Sequence, residues 1–130
     1  MSNTEVLSPR EVTAGTTVYF VESLPQGDWA VKKGKVSYVH DDWVDKQRNI
    51  SVAVLDDVYD PASTTHMRTK SPAELFTRQQ VKKIIKESDL ELDNTPLDDI
   101  VDDPITNRGL TVALGGVTLQ RMSEDLLSNI

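Results

Sequence analysis

The chain has 130 residues, contains no cysteine and carries a formal net charge of −7. This length fits a single domain, with room for an appendage. The lack of cysteine excludes a disulfide framework, a thiolate nucleophile and a cysteine-based zinc site. No apolar run approaches the length of a membrane span and the first residues are polar. We therefore expect no membrane partner and a cytoplasmic location, or host cytoplasm or virion for a viral protein.

Short β-strands are predicted through the first half of the chain. Residues 16–22 are rich in β-branched and aromatic side chains, and residues 25–28 contain a proline and a glycine that are typical of a turn. Farther along, Ile50, Val52 and Val54 alternate onto one face. The predicted strands span residues 16–22, 29–32, 34–40, 49–55 and 64–70.

A helix is predicted over about residues 78–87. Thr77 is a favourable N-cap residue, and Gln80 follows three positions later, as in a capping box. Phe76 before the cap and Val81 in the first turn have the spacing of a hydrophobic staple. These signals place the helix after the last predicted strand, with a second cap signature over residues 71–74 between the two.

The succession of short strands, a glycine-led strand at 34–39, the segment 74–77 and a short helix resembles small SH3-like barrel proteins. The resemblance covers about residues 14–87. It implies a mainly β fold with short helices, in which a small SH3-like β-barrel is followed by a helix. By this analogy the protein would be an adaptor, a part of a viral assembly or a nucleic-acid binder rather than an enzyme.

Charge divides the chain into two unequal parts. Residues 1–86 have a net charge of +1, whereas residues 87–130 have a net charge of −8. Such an asymmetry is typical of a folded unit joined to an interaction segment. We therefore predict a barrel domain with its terminal helix over 1–87, and an extended acidic C-terminal arm over 88–130.

Short elements are predicted within the arm. Pro96 and Pro104 mark the first position and the end of a short helix. The glycine pair at 115–116 predicts a small hairpin over residues 110–119. The leucines of this acidic segment are scattered and need a surface to lie against, and we favour an external one.

A partner-binding site is predicted from the acidic and apolar residues of the arm together with one tryptophan. Trp43 lies in a polar run, where it would serve either as an exposed interface anchor or as a cover over one end of the barrel. The residues that we predict to bind a partner are Trp43, Leu97, Asp98, Asp99, Ile100, Asp102, Asp103, Leu126 and Leu127.

Neither a metal site nor a catalytic site is predicted. Asp98 and Asp102 lie four residues apart and could share a helical face, but a Mg²⁺ site needs further ligands, so a solvated acidic face is the simpler interpretation. His40 and His66 are the only histidines, and neither accompanies a nucleophile motif or a glycine-rich phosphate loop. We therefore predict no enzymatic activity, no catalytic residue, no metal ligand and no cofactor.

These features favour a non-enzymatic protein–protein interaction or assembly module. Its partner would be another protein chain or a neighbouring subunit of the same assembly. The size and the absence of cysteine suit a viral or phage accessory protein or a virion structural protein.

Two alternatives involve nucleic acid. In one, the acidic arm mimics nucleic acid and blocks a nucleic-acid-processing enzyme. In the other, the barrel is a nucleic-acid-binding platform, made of Lys32, Lys33 and Lys35 beside the aromatic residues Trp29, Tyr19 and Tyr38. The second is disfavoured, because a net charge of +1 over residues 1–86 is a weak electrostatic footprint for nucleic acid.

Overall fold

The computed structural model describes residues 12–24, 27–42, 47–54, 67–87 and 96–128. These ranges contain five β-strands and three α-helices, with a single 3₁₀ turn at Pro72–Glu74 before the last strand. In chain order the elements are β1 (Thr17–Ser23), β2 (Trp29–Asp42), β3 (Gln47–Val54), β4 (Met67–Lys70), β5 (Phe76–Thr77), α1 (Arg78–Glu87), α2 (Leu97–Asp102) and α3 (Pro104–Ser128).

The described strands form one antiparallel sheet in the order β4-β3-β2-β1-β5. Its longest strand, β2, pairs with β1 along its first part and with β3 along its second. Both neighbours meet it at Gly34, which lies opposite Val18 on one side and Val54 on the other. A Cβ atom at Gly34 would lie 2.9 Å from the carbonyl oxygen of Ala53 and would overlap the Val52 side chain. This close approach of β2 and β3 therefore requires glycine.

The mainly β character expected from the sequence takes the form of this five-stranded sheet. β4 and β5 are its two edges, and no described pairing joins them into a closed barrel. The strands predicted over 29–32 and 34–40 are one continuous strand, because the chain runs through Gly34 in extended conformation. The helix predicted at 78–87 is confirmed as Arg78–Glu87.

The predicted capping box at the start of α1 is confirmed. The backbone N–H of Thr77 donates to Gln80 Oε1 at 3.0 Å, and the backbone N–H of Gln80 donates to Thr77 Oγ1 at 3.2 Å. The two bonds satisfy backbone donors that have no partner inside the helix. They fix the point at which β5 becomes α1.

Apolar side chains cover both faces of β1. Because successive strand residues point to opposite faces, Val18 and Phe20 lie in one buried cluster while Tyr19 lies in another. The cluster with Val18 and Phe20 lies on the sheet face opposite α2 and α3, and we call it the opposite-face cluster. It comprises Val12, Val18, Phe20, Val36, Ile50, Val52, Val54 and Leu75. The helix-covered-face cluster comprises Tyr19, Val31, Phe76, Val81, Leu97, Ile100, Val101, Leu110 and Leu114.

The last third of the chain is not an extended arm over residues 97–128. Here α2 and α3 contribute five of the buried side chains on the helix-covered face, namely Leu97, Ile100, Val101, Leu110 and Leu114. The hairpin predicted over 110–119 is also wrong, because these residues belong to α3. Packing of Leu110 and Leu114 against the sheet stabilises helix where the Gly115–Gly116 pair favours a turn. The rest of the predicted arm, residues 88–95 and 129–130, lies outside the described residues.

Candidate interaction surface

Helix α3 is apolar on two opposite sides. On one side Leu110 and Leu114 are fully buried against the sheet. On the other, Ile105, Val112 and Leu119 are 84%, 75% and 70% exposed. Seven residues make nearly two helical turns, so these three side chains form a line along the helix. We call Ile105, Val112 and Leu119 the α3 stripe.

A buried asparagine holds α3 in one orientation on the sheet. Asn107 Oδ1 accepts the backbone N–H of Val31 at 2.8 Å, and its Nδ2 donates to the Val31 carbonyl at 2.8 Å. Val31 precedes Gly34, where the described pairing of β2 with β3 begins. Val31 therefore has no described strand partner on the β3 side. The asparagine amide takes the hydrogen-bonding position there that a neighbouring strand would take. With Asn107 facing the sheet, the α3 stripe faces away from it.

The same side chain also connects α3 to α2. Asn107 Nδ2 donates to the Val101 carbonyl at 2.8 Å. The hydroxyl of Thr111 lies 2.7 Å from the Asn107 carbonyl and 2.9 Å from Asn107 Oδ1. Asn107 itself is 1% exposed, so removal of its amide would leave the Val31 N–H and the Val31 and Val101 carbonyls without this partner in a dry environment.

The corner between α2 and α3 is set by Asp103 and Pro104. The Asp103 carboxylate accepts the backbone N–H of Ile105 at 3.0 Å, which caps α3. Pro104 occupies the first helical position, where its missing N–H costs no hydrogen bond. The Thr106 hydroxyl donates to the Ile100 carbonyl at 3.0 Å. Pro104, predicted only to mark the end of the preceding short helix, is therefore also the first residue of α3.

Asp98 forms ion pairs within the chain. Its Oδ1 lies 3.4 Å from Lys33 Nζ and 3.3 Å from Arg78 Nη1, and the Tyr19 hydroxyl donates to it at 3.4 Å. Burial acts to raise the pKa of Asp98, but the charges of Lys33 and Arg78 outweigh this effect and hold that pKa below its ordinary value. Burial raises the pKa of Tyr19 to about 12, so its hydroxyl stays protonated as a donor. The contacts that Asp98 makes with Lys33 and Arg78 therefore hold α2 against β2 and α1.

The predicted partner-binding residues fall into different environments. Leu97 and Ile100 are 4% and 2% exposed, which places them in this chain's own core rather than on its surface. Asp99 and Asp102 are exposed on α2. Leu126 and Leu127 belong to α3, but their side chains are not among those that the structure describes. Trp43 lies outside the described residues.

The α3 stripe was missed by the sequence analysis. Its signal is visible in the sequence, since Ile105, Val112 and Leu119 recur every seven residues. Assigning residues 110–119 to a hairpin concealed it, because a strand pattern has period two and a helical stripe does not. A helix assignment would have placed these residues on the side opposite Leu110 and Leu114.

A second charged group lies on the opposite face of the sheet. Glu22 Oε1 accepts from Lys32 Nζ at 2.8 Å, and Glu22 Oε2 accepts from Arg68 Nε at 2.6 Å. Lys32 is 5% exposed. Burial acts to raise the pKa of Glu22, but hydrogen bonds from Arg68 and Lys32 outweigh this effect and lower it below the usual 4.5.

The substitution Glu22→Gln is expected to lower the free energy of unfolding by about 2 kcal/mol at pH 7, because it removes the carboxylate that Lys32 and Arg68 both contact. A carboxyl whose pKa is depressed on folding stabilises the protein above its unfolded-state pKa and loses this effect as the pH falls through the folded-state pKa. Urea denaturation should therefore show the deficit shrinking below pH 4.5. Glu87→Gln, at an exposed position, is the control. An equal deficit at pH 7 and pH 3 would contradict the assignment.

Within the described ranges, no three acidic or histidine side chains gather closely enough to hold a metal ion. None of the helices there is long and apolar enough to cross a membrane. Comparison of the chain with protein-family models, with curated proteins and with solved structures gives no match in any of the three. The role of the α3 stripe is therefore inferred from the residues of this chain alone.

Proposed function

We propose that the protein is a non-enzymatic protein–protein interaction or assembly module whose contact surface includes the α3 stripe. The observation that carries the proposal is the pair of apolar sides on α3: among the described residues, one side is buried in the core and the other is exposed. A helix on a protein surface ordinarily presents polar side chains to water. Burial of three large apolar side chains against a partner would be favourable by roughly 25 cal/mol per Å².

Protein is a better match than nucleic acid as the partner of this surface. The stripe is apolar, and the chain's net charge of −7 opposes approach to phosphate. Lys32 and Lys33, considered for a nucleic-acid platform, are paired with Glu22 and Asp98. The nucleic-acid-mimic alternative has less support for a related reason, since Asp98 and Asp103 are both bonded within the chain.

The curvature of the sheet supports an SH3-like barrel as the scaffold of this module. In a flat sheet, β1 and β4 would lie about 14 Å apart, because two strands separate them. Glu22 of β1 nevertheless binds Arg68 of β4 at 2.6 Å. Lys70 Nζ of β4 also lies 5.1 Å from the centroid of the Phe20 ring on β1. Contacts of this kind across the opposite face are expected of strands that curl toward one another.

The double substitution Val112→Glu with Leu119→Glu tests the proposal. Both side chains are exposed in the single chain, so the free energy of unfolding of the monomer should change by less than about 0.5 kcal/mol. Capture of bound proteins from an extract of the encoding organism should be lost, because two carboxylates cannot be buried in an apolar contact. Lys83→Glu, on exposed α1 surface, changes the net charge by the same amount and is the matched control. Equal recovery by all three proteins would contradict the proposal.

A further inference from the structure

We infer that the surface that covers the α3 stripe is the α3 stripe of a second copy of this chain, bound antiparallel about a two-fold axis beside Gly116. This inference rests on the proposed function, and it names the partner. Its support comes from the order of residues along the exposed side of α3, from the absence of side chains at its centre and from the distribution of charge between its two ends.

Large and small residues alternate along the exposed side of the helix. Between the large residues of the α3 stripe lie Gly109 and Gly116, and at the same spacing Ser123 follows Leu119. These positions succeed one another at steps of four and three residues, which keeps them on one side of an α-helix. The large side chains are thus separated at regular intervals by small residues.

The series has the same order in both directions from Gly116. Val112 and Leu119 flank that glycine, and Gly109 and Ser123 lie farther out. In an antiparallel pair, Val112 would therefore meet the partner's Leu119, and Gly109 would meet the partner's Ser123. A surface that complements itself under a two-fold rotation is the kind that identical subunits share.

The centre of the stripe is open to the approach of another backbone. A Cβ atom built at Gly115 or Gly116 would meet no atom within 4 Å beyond its chain neighbours and the local helix backbone, and Gly116 is exposed. Each glycine costs a helix interior roughly 1 kcal/mol relative to alanine. Neither glycine is needed by the packing of α3 on its own sheet. A close crossing with a second helix gives the missing side chains a structural use.

Charge favours the antiparallel arrangement. The first half of α3 carries Arg108, whereas its last turns carry Glu124. Parallel pairing would place two acidic ends together. Antiparallel pairing instead places each acidic end beside the half of the partner helix that carries Arg108, which is the favourable arrangement.

Single-cysteine variants of the full-length chain can test this pairing, because the natural sequence contains no cysteine. Gly116→Cys should form a disulfide-linked dimer under mild oxidation, since the two thiols would meet near the axis. Ile105→Cys should not, because the two Cys residues would be about 32 Å apart along the helices. Val112→Cys alone would leave about 11 Å between thiol-bearing positions, beyond disulfide reach. A mixture of Val112→Cys and Leu119→Cys should give the mixed dimer.

The mixed pair guards against the case in which a side chain at Gly116 blocks the close crossing. Lys83→Cys, exposed on α1, measures random collision, and the mixed dimer should exceed it at least about tenfold. Light scattering on the unmodified protein should show the mass rising with concentration from 14.5 kDa toward twice that value.

Three results would overturn the inference. Equal dimer yields from Ile105→Cys and Gly116→Cys would indicate parallel helices. A mass that stays at 14.5 kDa at all concentrations would exclude the second copy, as would cross-linking no higher than that of Lys83→Cys. In these last two cases, loss of captured protein in the Val112→Glu and Leu119→Glu variant would still uphold the proposed function with a different protein as partner.

Discussion

The substitution Asn107→Ala is expected to lower the free energy of unfolding by about 3 kcal/mol. It would leave the N–H and C=O of Val31 and the C=O of Val101 without the partner that the amide provides. Each such group costs about 1 to 3 kcal/mol when it is buried and unsatisfied. The higher helix propensity of alanine would stabilise the variant by only about 0.5 kcal/mol. This is less than the stability lost with the hydrogen bonds.

Urea denaturation and thermal unfolding measure this effect, and the expected decrease in Tm is about 10 °C. Arg108→Ala, one residue away on the exposed side of α3, should change the free energy of unfolding by no more than about 0.5 kcal/mol. Asn107→Asp should be at least as harmful as alanine, because a carboxylate oxygen would then face the Val31 and Val101 carbonyls. An Asn107→Ala protein as stable as the wild type would refute the anchoring role.

Removal of residues 88–130 is expected to abolish cooperative folding. Tyr19, Val31 and Phe76 are fully buried, and the α2 and α3 side chains that pack with them would be absent. Five buried apolar side chains are lost, which at about 2 kcal/mol each amounts to about 10 kcal/mol. This equals the whole stability of a typical domain, about 5 to 15 kcal/mol. The remaining fragment should therefore expose a large apolar surface and bind hydrophobic dyes.

Near-ultraviolet circular dichroism and urea titration of the 1–87 fragment measure this prediction, with the full-length chain as reference. Leu114→Ala in the full chain is a milder disruption of the same packing. It is expected to lower the free energy of unfolding by about 2 to 5 kcal/mol while leaving a folded protein. A sharp urea transition from the fragment would instead support a division of the chain into an independent domain over 1–87 and an appended segment.

Local features were predictable because each depends on residues a few positions apart. The capping box joins Thr77 to Gln80, and the alternation of Ile50, Val52 and Val54 reflects the two faces of one strand. The same reasoning divided β2 into strands over 29–32 and 34–40, since a glycine that permits a close approach of strands and a glycine that begins a new strand are identical in sequence.

The sequence by itself determined where most of the strands lie, where α1 begins and how strongly acidic the last third is. Only the tertiary structure decided what that last third does. Asn107 bonds to Val31 across 76 residues, and Asp98 bonds to Arg78 across 20. The helical state of Gly115 and Gly116 depends on neighbours packed against the sheet. The physical reason is that carboxylates, amides and glycines take their roles from atoms that become neighbours only when the chain has folded.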